Sequence, residues 1–215
     1  MGAFFLLIML EPDFGTSMVI MVTLVAMIFI SGVKLSFFAK IGVIGIIGIV
    51  GIIAVAPYRL ARIVSFVNPW VDPLGSGFQI IQSLYAIGPG SLLGQGFLSS
   101  RQKHFYLPEP QTDFIFSIIS EEFGFLGVLV ICSLFFYLFY RCLKISLNTP
   151  DLFSKYLCFG LSFGILIQAI LNLMVVVGLI PVTGVTLPFL SYGGSSLLVS
   201  MASIGIILNI SRHTK

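Results

Sequence analysis

The stretch Phe123-Gly-Phe-Leu-Gly-Val-Leu-Val-Ile-Cys-Ser-Leu-Phe-Phe-Tyr-Leu-Phe-Tyr140 decides the fold, because it runs for 18 residues without a charged side chain. A helix of that length is about 27 Å long, close to the roughly 30 Å hydrocarbon core of a bilayer. Its apolar residues lack the alternation of barrel strands, which indicates helices. Comparable stretches are Thr16–Val33, Phe37–Ala56, Tyr156–Ile180 and Ser195–Ile210.

The composition excludes a soluble protein. Hydrophobic residues make up 58% of the 215 positions and charged residues 9%, too few to cover the surface of a water-soluble domain. Met1–Leu10 is also apolar, but a helix over it reaches only about 15 Å, which indicates part of a span. We therefore predict an all-α polytopic transmembrane bundle. It forms one integral-membrane domain over residues 1–215, with five full spans and a partial N-terminal one.

Basic residues predict the orientation, since they are enriched in short cytoplasmic loops. When the spans alternate, seven of the eleven fall on one side, which predicts a cytoplasmic C-terminus and an extracytoplasmic loop over residues 57–116. Seven of the eight acidic residues fall on the outer side. The basic residues on the cytoplasmic side are Lys34, Lys40, Arg141, Lys144, Lys155, Arg212 and Lys215.

The extracytoplasmic loop holds the other four basic residues, against the usual trend. One role for them is contact with anionic lipid headgroups. The alternative is a clamp for a pyrophosphate, which suits arginine because its guanidinium binds phosphate oxygens in pairs. Both alternatives stay open from the residues alone. The four are Arg59, Arg62, Arg101 and Lys103.

Asp113 is the candidate catalytic residue. It follows Pro108 and Pro110 and comes directly before an apolar helix, a position typical of an N-cap. The alternative is a general base at the membrane surface, where partial dehydration can bring the pKa of a carboxyl group toward the range that a base requires. Glu109, four residues earlier, and the nearby cations favour the base.

Local signals divide the loop into short elements. Tyr58–Phe66 is predicted as an amphipathic helix and Asn68–Pro73 as a turn. Gly77–Ile87 is predicted as an interfacial helix with Gln79 and Gln82 on one face. The glycines that follow have no preceding strand, so we expect tight turns or close approach to a ligand rather than a dinucleotide site. They are Gly88, Gly90, Gly94 and Gly96.

Polar groups within or beside the spans are further candidates. Glu121 and Glu122 lie near the outer end of a span, where acids suit the first turns of a helix. Because the two cannot face the same way, we expect one to point into the bundle. Gln168 and Asn172 suit hydrogen bonds between helices, with a substrate role as the alternative. Leu187–Ser196 is a Pro- and Gly-containing break, either a structural kink or a wall facing the substrate.

The chain carries no motif for a metal or a nucleotide cofactor. His104 and His213 are isolated, the three cysteines lack CxxC spacing, and no HExxH, GxSxG or Walker motif occurs. We expect no metal site, no cofactor and no nucleic acid partner. A divalent cation stays open as an assistant to a pyrophosphate, although no ligand set for one is visible.

Six motifs resemble the SEDS family (shape, elongation, division and sporulation), closest to its division and sporulation branches. They occur in the family's order and cover essentially the whole chain, which makes the resemblance specific. Family members carry further N-terminal spans, so this chain corresponds to the later part of a member. The motifs are Leu10–Thr16, Asn68–Pro73, Gly77–Gln79, Arg101–Phe116, Glu121–Gly124 and Leu187–Ser196.

The resemblance implies a multi-pass enzyme of the bacterial inner membrane, an inverting glycosyltransferase that polymerises lipid II into β-1,4-linked glycan strands. It also implies a class B penicillin-binding protein as partner, together with other cell-division proteins and membrane lipids. The family's essential acid corresponds to Asp113. Candidate substrate-binding residues are Arg59, Arg62, Gln79, Arg101, Lys103, Glu109, Glu122, Ser191, Gly193 and Gly194.

Two functions of other classes are alternatives to a glycosyltransferase. A lipid II flippase is expected to carry paired or relayed charges deep in its spans. Here the middle of each span is almost wholly apolar, with Gln168 and Asn172 as the main exceptions, which favours chemistry at the surface. The other alternative is a non-catalytic scaffold of the division machinery, and it stays open for this chain.

Overall fold

A computed structural model describes residues 13–55, 66–102, 107–108 and 110–213. This part of the chain is helical and contains no strand, which confirms the predicted all-α fold. The α-helices are α1 (Phe14–Ile30), α2 (Leu35–Val55), α3 (Phe78–Ile87), α4 (Ile115–Asn148), α5 (Leu152–Val176) and α6 (Gly194–Ser211).

The apolar stretches form the long helices. Three of them, α4, α5 and α6, are long and apolar enough to cross a membrane, and α1 is an apolar helix of 17 residues. The helix α4 extends beyond the predicted Phe123–Tyr140 at both ends and comprises 34 residues, with a break at Gly124. The difference arises because a helix does not end where charged residues begin: α4 continues through Glu121 and Glu122 at one end and Arg141 at the other.

Helix α5 is the centre of the bundle, since it packs against α1, α3, α4 and α6. Its side chains are correspondingly more buried than those of α4 or α6, whose outer faces are exposed and apolar. One apolar core lies where α4, α5 and the segment before α6 meet. Its fully buried members include Phe114, Val176 and Leu187, so this core lies directly beneath the turn that carries Asp113.

Helix α4 is interrupted at Gly124, whose backbone angles (φ 62°, ψ −161°) are not helical. The loop that follows α3 crosses the helix at this break. The amide groups of Gln95 and Gly96 donate to the carbonyls of Glu121 and Glu122, at 2.9 and 3.1 Å. At the break these two carbonyls lack the hydrogen bonds that a regular helix would provide, and the amides of the loop donate to them instead.

Two of the loop glycines are required by this crossing. A side chain on Gly90 would overlap the Ser120 carbonyl, and one on Gly94 would overlap the Glu122 carbonyl. Gly94 also has φ +79°, a conformation that favours glycine. The sequence predicts tight turns or close approach to a ligand for these glycines, and the structure shows that Gly90 and Gly94 approach the backbone of α4 instead.

Helix α3 confirms the helix predicted over Gly77–Ile87. It buries Ile80, Ile81, Ser83 and Ala86 against α4 and α5. The Ser83 hydroxyl donates to the Val176 carbonyl at 2.6 Å, and its oxygen lies 2.7 Å from the Ser117 hydroxyl. These polar contacts at the ends of α5 and α4 hold α3 against the bundle.

The predicted turn over Asn68–Pro73 is also present. The Asn68 side chain accepts from the Trp70 amide at 3.2 Å, and the Asp72 carboxylate accepts from the amide and hydroxyl of Ser76. The hydrogen bond from the Ser76 amide, followed by that from its hydroxyl, lowers the pKa of Asp72. Most of the amphipathic helix predicted over Tyr58–Phe66 lies outside the described residues.

Candidate functional site

Asp113 lies on the turn that leads into α4, half-buried at the end of the bundle. Phe114, rather than Asp113, occupies the N-cap position of α4, which does not match the position that the capping alternative predicts. The carboxylate faces the segment between α5 and α6. A Cβ atom added to Gly184 would lie 3.7 Å from Asp113 Oδ2, so the carboxylate lies close to the backbone of Gly184.

Three successive backbone carbonyls hold the Asp113 turn in place. The Gln111 carbonyl accepts from the Tyr192 amide at 2.8 Å, and the Thr112 carbonyl accepts from the Ser191 hydroxyl at 2.6 Å. The Asp113 carbonyl accepts from Asn172 Nδ2 at 2.7 Å. The turn that carries the candidate base is therefore bound to both α5 and the segment before α6.

The segment Leu187–Ser196 was predicted as a break, and it is irregular up to Gly193. The Ser191 hydroxyl accepts from the Leu187 amide at 2.7 Å while it donates to Thr112, so it serves both segments. Phe189 has φ 66°, which is strained for an aromatic residue. Gly193 precedes α6 without a side-chain cap, and Gly194 is its first residue.

Gln168 and Asn172 donate to the segment before α6 and to the Asp113 turn rather than to neighbouring helices. Gln168 Nε2 donates to the carbonyl and hydroxyl of Thr186, at 3.0 and 3.3 Å. Asn172 Nδ2 donates to the carbonyls of Asp113 and Val185, each at 2.7 Å. The predicted hydrogen bonding thus occurs, but its target is the pair of segments that form the candidate site.

The expectation that Glu121 and Glu122 face different ways is wrong. Both are buried, with 2% and 6% of their surface exposed, and both accept from residues of the same loop. The loop crosses at the Gly124 break and is wide enough to reach two successive side chains. Glu121 accepts from the Ser100 hydroxyl at 2.5 Å and from the Arg101 amide at 3.0 Å, and Glu122 accepts from the Ser100 amide at 3.4 Å.

Of the remaining candidate substrate-binding residues, two are described by the structure and four lie outside the described residues. Arg101 has an exposed side chain on the loop that Glu121 holds, and Gln79 is half-buried on α3. Their substrate-binding roles stay predictions, as do those of Glu122, Ser191, Gly193 and Gly194. The others lie outside the described residues: Arg59, Arg62, Lys103 and Glu109.

Residues that sequence reasoning passed over also shape the site. No motif marks these residues in the sequence: Gly184, Ser100 and Thr186. Gly184 faces a carboxylate, and the hydroxyls of Ser100 and Thr186 form hydrogen bonds with distant residues. Such contacts depend on which segments of the chain meet in the fold.

Among the described residues, no three His, Cys, Asp or Glu side chains gather to hold a metal ion. The assistance of a divalent cation stays an open alternative.

Glu121 offers a test of the loop attachment. We expect Glu121→Gln to destabilise the protein by about 2 kcal/mol, because an amide nitrogen would then face a donor in a buried position. In a double-mutant cycle, Ser100→Ala should lower the free energy of unfolding by less in the Glu121→Gln background than in the wild type. The reason is that the two side chains share one hydrogen bond. Thermal unfolding in detergent measures all four proteins, and strictly additive losses would contradict the shared contact.

These features define the class: a polytopic helical membrane protein whose candidate site gathers at one end of the bundle, on the turn before α4. The chain belongs to the family of cell cycle proteins that comprises FtsW, RodA and SpoVE, whose model matches residues 1–215. The family resemblance of the sequence is thereby confirmed, and the chain is a multi-pass membrane protein.

Two relatives match almost the whole chain. Stage V sporulation protein E of Bacillus subtilis (strain 168) is 55% identical over 211 residues, which cover 98% of this chain and 58% of the relative. A probable peptidoglycan glycosyltransferase FtsW of Geobacter sp. (strain M18) is 41% identical over 215 residues, which cover 100% and 59%. The chain thus spans less than two thirds of the length of these relatives.

A solved structure described as a peptidoglycan synthase complex that coordinates polymerization and crosslinking has the same fold. It aligns with a TM-score of 0.75 and 32% sequence identity, covering 97% of this chain and 58% of the solved chain. The similarity therefore extends from α1 to α6 and includes the segments that surround Asp113.

Proposed function

We propose that this chain forms the catalytic part of a peptidoglycan glycosyltransferase that polymerises lipid II into glycan strands. The observation that carries the proposal is Asp113 itself: a carboxylate held at one end of the bundle, with its backbone bound on three successive carbonyls. A general base must be held within hydrogen-bond reach of the proton it takes. A turn bound in this way holds the carboxylate in a fixed position. The names of the relatives agree with this activity.

In the proposed reaction, Asp113 accepts the proton of the 4-hydroxyl group of the acceptor GlcNAc. The resulting oxygen forms a bond to C1 of the donor MurNAc, from the face opposite the pyrophosphate. The bond from C1 to the pyrophosphate oxygen breaks, and undecaprenyl pyrophosphate leaves with the electron pair. Inversion at C1 yields the β-1,4 link.

The leaving pyrophosphate gains charge as its bond breaks, so a cation near it lowers the barrier. Arg101 is the described candidate, because its side chain is exposed while its amide is bound to Glu121. This attachment fixes the base of the side chain and leaves the guanidinium available for phosphate oxygens. The same loop continues toward Lys103, a second candidate cation in the sequence.

The proposal includes a partner and an orientation. A class B penicillin-binding protein would crosslink the strands, in agreement with the synthase complex that shares this fold. Lipid II would be used on the outer face of the inner membrane, with the Asp113 turn outside and the C-terminus of α6 in the cytoplasm. The cytoplasmic ends of α4 and α5 then carry Arg141, Lys144 and Lys155, as the distribution of basic residues favours.

Glycan-strand synthesis from labelled lipid II tests the function. We would join the chain behind the N-terminal spans of the Bacillus subtilis relative, add a class B penicillin-binding protein with its transpeptidase blocked, and resolve the products by gel. We expect a ladder of glycan polymer. Its absence from a folded protein would contradict the proposal, and transfer of lipid II across vesicles in the same preparation would favour the flippase.

A further inference from the structure

Asn172 lies on the last turns of α5 and contacts both segments of the candidate site. Its side chain is buried, with 1% of its surface exposed. Both hydrogens of its amide are used, since Nδ2 donates to the Asp113 carbonyl and to the Val185 carbonyl. The opposite amide orientation would place Oδ1 against two carbonyl oxygens, so these contacts determine which way the amide points.

The other half of this amide has no comparable support. Asn172 Oδ1 is buried and has no hydrogen-bond partner among the described residues. A buried polar atom without a partner is destabilising, and an apolar side chain of similar size would avoid that cost. An apolar side chain would, however, remove the Asn172 donor from the Asp113 and Val185 carbonyls, so these two donated hydrogen bonds are what asparagine provides at this position.

These two hydrogen bonds hold two backbone segments in place: the turn that carries the Asp113 carboxylate and the segment that lies opposite it. One determines the position of the Asp113 backbone and hence the origin of its side chain. The other holds Val185, which is adjacent to Gly184, the residue that faces Asp113 Oδ2. One amide thus sets the distance between the candidate base and the backbone opposite it.

We infer that Asn172 is a positioning residue for Asp113 in glycosyl transfer, an inference that rests on the proposed function. It touches no substrate atom and acts by holding the base where the acceptor hydroxyl is presented. Displacement of a catalytic group by as little as 1 Å can lower a rate by about 100-fold. Loss of the Asn172 amide should therefore affect turnover more than substrate binding.

Gln168 provides a matched control on the same helix. It lies four residues before Asn172, and its amide also donates twice to the segment between α5 and α6, at Thr186. Among the described residues, its side chain donates no hydrogen bond to Asp113 or to the neighbours of Asp113 on the turn. Replacement of Gln168 by leucine removes an equivalent pair of hydrogen bonds while the Asp113 carbonyl keeps its donor.

The experiment compares Asn172→Leu with Gln168→Leu in the joined protein, using labelled lipid II. We expect Asn172→Leu to lower kcat by about 30-fold or more while KM changes by less than about threefold. Gln168→Leu should lower kcat by less than about threefold, because the base stays in position. Equal losses in the two variants, or a loss confined to KM, would overturn the inference.

Hydrogen exchange gives a readout that does not depend on activity. We expect exchange of the Tyr192 amide, which donates to the Gln111 carbonyl on the turn, to accelerate in Asn172→Leu and to stay at the wild-type rate in Gln168→Leu. Unchanged exchange in Asn172→Leu would overturn the inference even if no lipid II were polymerised. Accelerated exchange in Asn172→Leu, when the unsubstituted joined protein itself makes no polymer, would instead reject the proposed function and leave the positioning contact standing. If Asn172→Leu does not fold, Asn172→Ala removes the same donors and enters the same comparison.

Discussion

Asp113→Asn should abolish glycan-strand synthesis while the protein stays folded. Asparagine matches aspartate in size, but its amide cannot take the proton of the acceptor hydroxyl. Loss of a general base lowers a rate by about 100- to 10,000-fold, which brings polymer formation near the limit of detection. The measurement is the yield of glycan polymer from labelled lipid II, with thermal unfolding in detergent run on the same preparation.

Asp151→Asn is the matched control for this substitution. Asp151 caps α5, where its carboxylate accepts from the amide and the hydroxyl of Ser154 at 2.8 and 2.6 Å. Asparagine is itself a good N-cap, so the control should retain both stability and activity. If Asp113→Asn behaves like Asp151→Asn and still makes polymer, Asp113 is no more than a structural residue of the turn.

Gly94→Ala should prevent normal folding of the loop against α4. The added Cβ would lie 2.1 Å from the Glu122 carbonyl oxygen, which is part of the helix backbone and cannot rotate away. The residue also needs φ +79°, which disfavours any L side chain. Overlap and backbone strain together are expected to cost roughly 2–5 kcal/mol. Thermal unfolding in detergent and the yield of monodisperse protein measure the effect.

Gly88→Ala is the corresponding control in the same loop. Gly88 has helical backbone angles (φ −54°, ψ −52°), and apart from its neighbours in the chain, no described residue has an atom within 4 Å of the position its Cβ would take. Alanine there should leave the unfolding temperature within the error of measurement. A Gly94→Ala protein as stable as Gly88→Ala would mean that the loop does not pack on the break in α4 as described.

The loop and the Asp113 turn are attached by different kinds of contact. The turn is bound through its own carbonyls, so its position depends on Asn172, Ser191 and the Tyr192 amide. The loop before it is bound through the buried carboxylates of Glu121 and Glu122. Mutations of the first set should therefore act mainly on catalysis, whereas Glu121→Gln should act mainly on stability.

Much of the fold could be predicted from the residues alone. Charge-free stretches the length of a bilayer become α4, α5 and α6, because unpaired backbone groups are too costly in hydrocarbon for anything but a helix. The helix over α3 and the turn near Trp70 followed from local turn and periodicity signals. Asp113 could be selected as a candidate because it directly precedes an apolar stretch, with Glu109 and cations nearby, and because it corresponds to the essential acid of the family motif.

From the residues alone we could predict the class of protein, the apolar stretches that form α4, α5 and α6, and a candidate base. Only the tertiary structure decided what holds that base: Asn172 bonded to its carbonyl, Gly184 opposite its carboxylate, and both glutamates turned to one loop. The reason is physical. Span formation depends on local hydrophobicity, which can be read residue by residue. The partner of a buried amide or carboxylate depends on which distant segments the packed helices bring together.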